Sequence, residues 1–148
     1  MPCFWPVSKR TNEWLQYHAR GYATAKGSLM PQRLRLTLRL DADGKPAIGH
    51  GKIKLLEQLA QTGSISAAGR AMGMSYRRTW LLVDSLNHLF KTPVVATRPG
   101  GGGGAFLTET GEAVVKLYRD IEQEAAQATA ADLGRLEALL APAGAECP

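Results

Sequence analysis

From Arg33 the chain alternates basic or polar residues with leucine, RLRLTLRL, so that Leu34, Leu36, Leu38 and Leu40 share one face. A period of two puts alternate side chains on opposite sides of an extended backbone, which predicts a half-buried strand over 33–40. DADGKP then turns the chain. Beyond it the period lengthens. In GHGKIKLLEQLAQTG, Ile53, Leu56, Leu59 and Ala60 fall on one helical stripe, and Gly63 suits the left-handed conformation that ends a helix. SISAAGRAMGMS predicts a short second helix, capped by Ser66 and stopped at Gly73, with Ala67, Ala68 and Ala71 small enough to let another helix approach. Ser75 caps a third, SYRRTWLLVDSLNHLF. There Thr79, Val83, Leu86 and Phe90 recur at helical spacing and leave Tyr76, Arg77, Arg78 and Leu81 on another side.

Two helices joined by a tight glycine turn, the second opening with polar and basic residues, make a helix-turn-helix. PVVATR and AFLTE then flank a run of glycines as two short β-prone segments, which predicts a hairpin. Helix, helix-turn-helix and hairpin in that order is a winged helix. Thr110 is the expected cap of a long helix in which Val114, Leu117, Ile121, Ala125 and Ala128 form a seam suited to another helix. Asp132 is expected to open a last short helix, LGRLEALLA, closed by Pro142. The expected fold class is therefore mainly α with a small β component: a winged helix-turn-helix followed by a long C-terminal helix. Residues 1–30 carry no sustained period and read as a mobile N-terminal extension, 31–109 as the winged domain, and 110–148 as a helical dimerisation segment and tail.

Charge sharpens this division. The 148 residues carry a net +5, but 31–104 hold eleven Lys or Arg against four Asp or Glu, while 105–148 hold three against eight. A basic middle suits an anionic partner and an acidic helical tail suits protein contacts. Cys3 and Cys147 are too few and too peripheral for a disulfide framework or a four-ligand metal site, so a reducing, cytoplasmic setting is expected. The N-terminus lacks an apolar core of signal-peptide length, and nowhere do about eighteen apolar residues run together, so neither export nor membrane spanning is expected.

Hydrogen-bonding and cationic groups on the first turns of a helix can reach base edges and phosphates in a major groove. Arg77 and Arg78 are the leading candidates for double-stranded DNA, one to grip guanine and one to neutralise phosphate, with Ser75 and Tyr76 against backbone or a thymine methyl. Arg70, near the end of the second helix, is placed to donate to phosphate. Trp80 fits either a core position beneath the first helix or a position facing the groove, and the core is the expected one. The stretch RPGGGGGAFLTETG is no phosphate loop of an NTPase, because Ala105, Phe106 and Leu107 stand where a lysine and a hydroxyl would open a helix. As a wing tip, Gly101, Gly102 and Gly103 allow the backbone close to sugar and phosphate while Arg98 supplies charge; as slack linker they would do neither. His18, His50 and His88 are scattered, with no partner at ligand spacing, so no metal and no cofactor are expected, and no nucleophile motif points to an enzyme. Val114, Leu117, Tyr118 and Ile121 are the expected homodimer contacts, since the long helix follows a small domain that offers it little to pack against.

LLEQLAQTGSISAAGRAMGMSYRRTWLLVDSLN together with GGGGAFLTETG resembles the N-terminal DNA-binding domain of ModE-type molybdate-responsive transcription regulators, and more distantly the winged helix of LysR-type regulators. The likeness covers about residues 33–125 and implies a winged-helix dimer that regulates transcription. One departure lies in the wing, where ModE-type chains show a threonine, two glycines and a basic residue before the glycine run. Here Thr97, Arg98, Pro99 and Gly100 stand instead, which moves the positive charge and stiffens the entry. Another is length: the family continues into a molybdate-binding domain, for which this chain is expected to have no room, so molybdate sensing is not carried over. The rival reading is a protein-interaction module that forms mixed dimers with a longer regulator through its acidic C-terminal helices.

Overall fold

The leucine alternation survives as a pattern of burial. In the computed structural model, residues 33–40 alternate exposed and half-buried, with the four leucines on the shielded side. The structure describes residues 33–100 and 104–142, which from Leu34 onward belong to one unit; the extension expected over 1–30 and the glycines 101–103 lie outside the described residues. Strand pairing begins later than the alternation. β1 (Arg39–Ala42) pairs antiparallel with β2 (Lys45–Gly49), Leu40 opposite Ile48 and Ala42 opposite Lys45. Asp43 and Gly44 join them with φ of 51° and 73°, two successive left-handed residues whose turn twists with the strands it connects. The turn was legible but β2 was not, because Pro46 argues against a strand wherever an edge position is not known in advance.

α1 (His50–Thr62) buries Ile53, Leu55, Leu56 and Leu59, leaves Ala60 exposed, and ends as expected at Gly63. α2 (Ile65–Ala71) is capped by Ser64, whose hydroxyl accepts from Ala67 N at 3.3 Å, and not by Ser66. Ile65 explains the shift: it is buried, and only a helix starting there turns it into the core. After α2, Gly73 adopts φ 66° and Met74 N returns to Gly69 O at 2.9 Å, closing the turn of the helix-turn-helix. α3 (Tyr76–Leu89) then buries Thr79, Val83 and Leu86. The two helices touch where a side chain is missing. A Cβ on Gly69 would overlap Thr79 Oγ1, so the close approach is made at Gly69, whereas Ala71 is exposed. Thr79 is fully buried yet satisfied, its hydroxyl donating to Ser75 O at 2.9 Å.

β3 (Val95–Thr97) and β4 (Ala105–Leu107) form the antiparallel wing, Ala96 opposite Phe106. α4 (Glu109–Ala138) is one helix of 30 residues, about 45 Å long, with no break at Asp132. An alanine-rich sequence of high helix propensity carries it past Asp132 and Gly134, and Asp132 pairs with Arg135 one turn on. Its cap is Thr108, accepting from Gly111 N at 3.2 Å, while Thr110, the expected cap, shares a 2.6 Å hydrogen bond with Thr92. The core gathers α1, Ile65 and Ala68, the inner face of α3, Val94, Val95 and Ala105 of the wing, and Val115 with Tyr118 of α4. Among the described residues no helix is long and apolar enough to cross a membrane.

Candidate nucleic-acid interface

The site begins with a cap. Ser75 is extended, and its hydroxyl accepts from Arg78 N at 3.3 Å, so the first turn of α3 emerges directly from the helix-turn-helix turn. Tyr76, Arg77 and Arg78 in that turn are all exposed, and no acidic residue shares it. The free amides of a helix N-terminus add partial positive charge to the two guanidinium groups. Arg70 is exposed at the end of the helix packed against α3. Among the described residues none forms an ion pair or side-chain hydrogen bond with Arg70, Arg77, Arg78 or Arg98. Four cations are thus left unneutralised by the described residues.

Trp80 is not in the core. It is 37% exposed and meets Tyr76, itself 63% exposed, edge to ring with centroids 6.0 Å apart and an interplanar angle of 65°. The reason is angular. Thr79 points at Gly69 on α2, and the next residue stands about 100° further round the helix, outside the contact that Thr79 already fills.

Behind the arginine helix, Asn87 fixes the wing. Its Oδ1 accepts from Val94 N at 2.9 Å and Val95 N at 3.0 Å, and its Nδ2 donates to Val95 O at 3.0 Å. The start of β3 is therefore pinned to the last turn of α3. Ala105 N donates to Gly63 O at 2.8 Å, tying β4 to the end of α1, and Arg98 N donates to Gly104 O at 2.8 Å at the mouth of the tip. Sequence reading missed Asn87, whose only signal was a polar residue in the last turn of a helix followed by a β-prone run. Gly101, Gly102 and Gly103 lie outside the described residues.

On α4 the expected contact residues separate. Leu117 is 60% exposed, Ile121 is exposed and Val114 half-buried, but Tyr118 is 2% exposed within its own domain, where its hydroxyl donates to Leu38 O at 2.7 Å. Tyr118 is thus a core residue and leaves the list of surface contacts: the leucine-bearing segment before β1 covers it, a neighbour that helix periodicity does not reveal. Burial, reinforced by Glu122, raises the pKa of its hydroxyl. Beside it, Arg119 donates to both carboxylate oxygens of Glu57 on α1, at 2.7 and 2.8 Å, and to Glu122. His50 Nδ1 stands 3.6 Å from the other oxygen of Glu122. The hydrogen bond to Glu57 and then that to Glu122 raise the guanidinium's pKa further, outweighing burial, so this cation is permanent and paired.

A winged helix-turn-helix with an exposed, unneutralised cationic helix start is a nucleic-acid-binding class of domain. Residues 51–112 match the bacterial regulatory helix-turn-helix proteins of the lysR family. The molybdenum-pterin-binding protein MopA of Rhodobacter capsulatus is 41% identical over 93 residues, 62% of this chain and 35% of that protein. MopB of the same organism is 46% identical over 77 residues, 51% of this chain and 28% of that protein. The transcriptional regulator ModE of Yersinia pestis is 38% identical over 113 residues, 73% of this chain and 41% of that protein. The chain therefore spans about a third of the length of these curated relatives, and the shared part is the helix-turn-helix domain. It is similar to the N-terminal DNA-binding domain of ModE-type regulators, as its motifs imply.

Proposed function

We propose that the chain is a dimeric, sequence-specific DNA-binding protein that regulates transcription. The observation that carries this reading is the first turn of α3, where a capped helix start presents Arg77 and Arg78 with no acidic partner among the described residues. In this reading α3 enters the major groove, one arginine reads a guanine, and Ser75, Arg70, Arg98 and the wing glycines 101–103 contact the backbone. The seam of exposed Leu117 and Ile121 with half-buried Val114 joins two copies, which sets two α3 helices in successive grooves of a near-palindrome about one turn apart. The names of the molybdenum-pterin-binding relatives MopA and MopB point the regulated genes toward molybdenum metabolism. Such a role places the protein in the cytoplasm.

Binding selection from random duplexes at physiological salt tests it. A two-fold motif should be enriched, and affinity for it should fall steeply as salt rises, because phosphate contacts release counterions. A failure to enrich any sequence overturns the reading. Dimerisation is checked by sedimentation: Leu117→Asp with Ile121→Asp should yield monomers that remain folded.

A further inference from the structure

An indole and a phenol side by side on a helix surface expose apolar area to water, which a folded domain leaves open mainly where a partner covers it. On α3 the core direction is taken by Thr79, Val83 and Leu86. By helical geometry Arg77 lies near the middle of the face opposite that core, Trp80 and Arg78 stand on its two flanks, and Tyr76 lies one turn before Trp80, toward the core edge. The aromatic pair thus borders two cations that have no partner among the described residues. That combination selects an anionic partner that also offers a small apolar feature. A paired duplex hides its base faces in the stack, so stacking is unavailable, and the apolar group it presents in the major groove is the 5-methyl of thymine.

We propose that Trp80, braced edge-on by Tyr76, is a specificity-determining residue that packs against a thymine 5-methyl group in the major groove. The proposal rests on the DNA-binding reading above and deepens it by adding an apolar readout beside the arginines. Trp80 reaches this surface because Gly69 and Thr79 close the α2–α3 contact without it.

The test uses the full chain and the duplex enriched from random sequence, with each thymine in turn replaced by uracil, which deletes only the methyl. Wild type should lose about four-fold in affinity at one position in each half-site, the effect of one methyl-sized group leaving an apolar contact. Trp80→Ala should bind the parent and that uracil duplex equally, and Trp80→Phe should retain part of the difference, with circular dichroism confirming the fold of each. A second measurement needs no variant: 5-iodouracil at the sensitive position, its iodine in place of the methyl, should photo-crosslink to the peptide containing Tyr76 and Trp80. Equal uracil penalties in wild type and Trp80→Ala, no penalty at any thymine of an enriched site, or a crosslink to another element overturns the proposal and leaves the DNA-binding reading standing. If no duplex is enriched, both fall.

Discussion

Arg119 and Arg77 carry the same side chain into opposite surroundings. Arg119, with a side chain 13% exposed, is gripped by Glu57 from α1 and by Glu122 one turn along α4. Arg77 is exposed and, among the described residues, bound to nothing. Removing a cation from water is costly unless carboxylates replace its hydration, so the α1–α4 junction stands only as a complete set. At the start of α3 the hydration is intact and the charge remains available. The contrast separates a cation that holds the domain together from cations left exposed at its surface.

The largest effect should come from breaking the first of these. Arg119→Ala leaves two mostly buried carboxylates without their cation and should cost about 3–5 kcal/mol in urea unfolding. A loss below about 1 kcal/mol would mean that the junction is solvated and that the contrast does not exist. Arg77→Ala should do the reverse. Stability should stay within about 0.5 kcal/mol of wild type, while affinity for an enriched site falls by about 1–3 kcal/mol and preference relaxes at one position. An equal loss on random duplexes would move Arg77 from base readout to phosphate contact.

Between these regions Asn87 links the arginine helix to the wing. Asn87→Ala strands the amides of Val94 and Val95 and should cost about 1–3 kcal/mol of stability. The smallest effect is expected at Tyr118. Tyr118→Phe removes one hydrogen bond to Leu38 O and should cost about 1 kcal/mol near neutral pH. Because burial raises the hydroxyl's pKa above its ordinary value, the folded state favours the neutral phenol. Its contribution is complete below about pH 10, where the unfolded chain begins to ionise, and is lost as pH rises through the folded value. Alkaline unfolding of wild type should show that loss, and Tyr118→Phe should lack it.

Much of the fold was legible because its signals are local. The 3.6-residue spacing of Ile53, Leu56 and Leu59, the left-handed residue Gly63, the cap Ser75 and the strands flanking the glycine run each involve neighbours within a few positions. Arg77 and Arg78 were legible as exposed for the same reason, since Thr79, Val83 and Leu86 take the other side of the helix. The errors cluster where two readings were locally equivalent. Ser64 and Ser66, or Thr108 and Thr110, are equally good caps until the burial of Ile65 and the pairing of Thr110 with Thr92 choose between them. Trp80 satisfied either a core or a surface position until Gly69 and Thr79 closed the gap.

By itself, then, the chain's amino-acid order determined the helices, the glycine turns, the wing and a basic face, because hydrophobic period and backbone freedom are properties of short segments. Only the tertiary structure decided which cations are paired and which aromatic residues are covered. Glu57 lies 62 residues from Arg119 and Leu38 lies 80 from Tyr118, and contacts at that range exist only once the elements between them have packed.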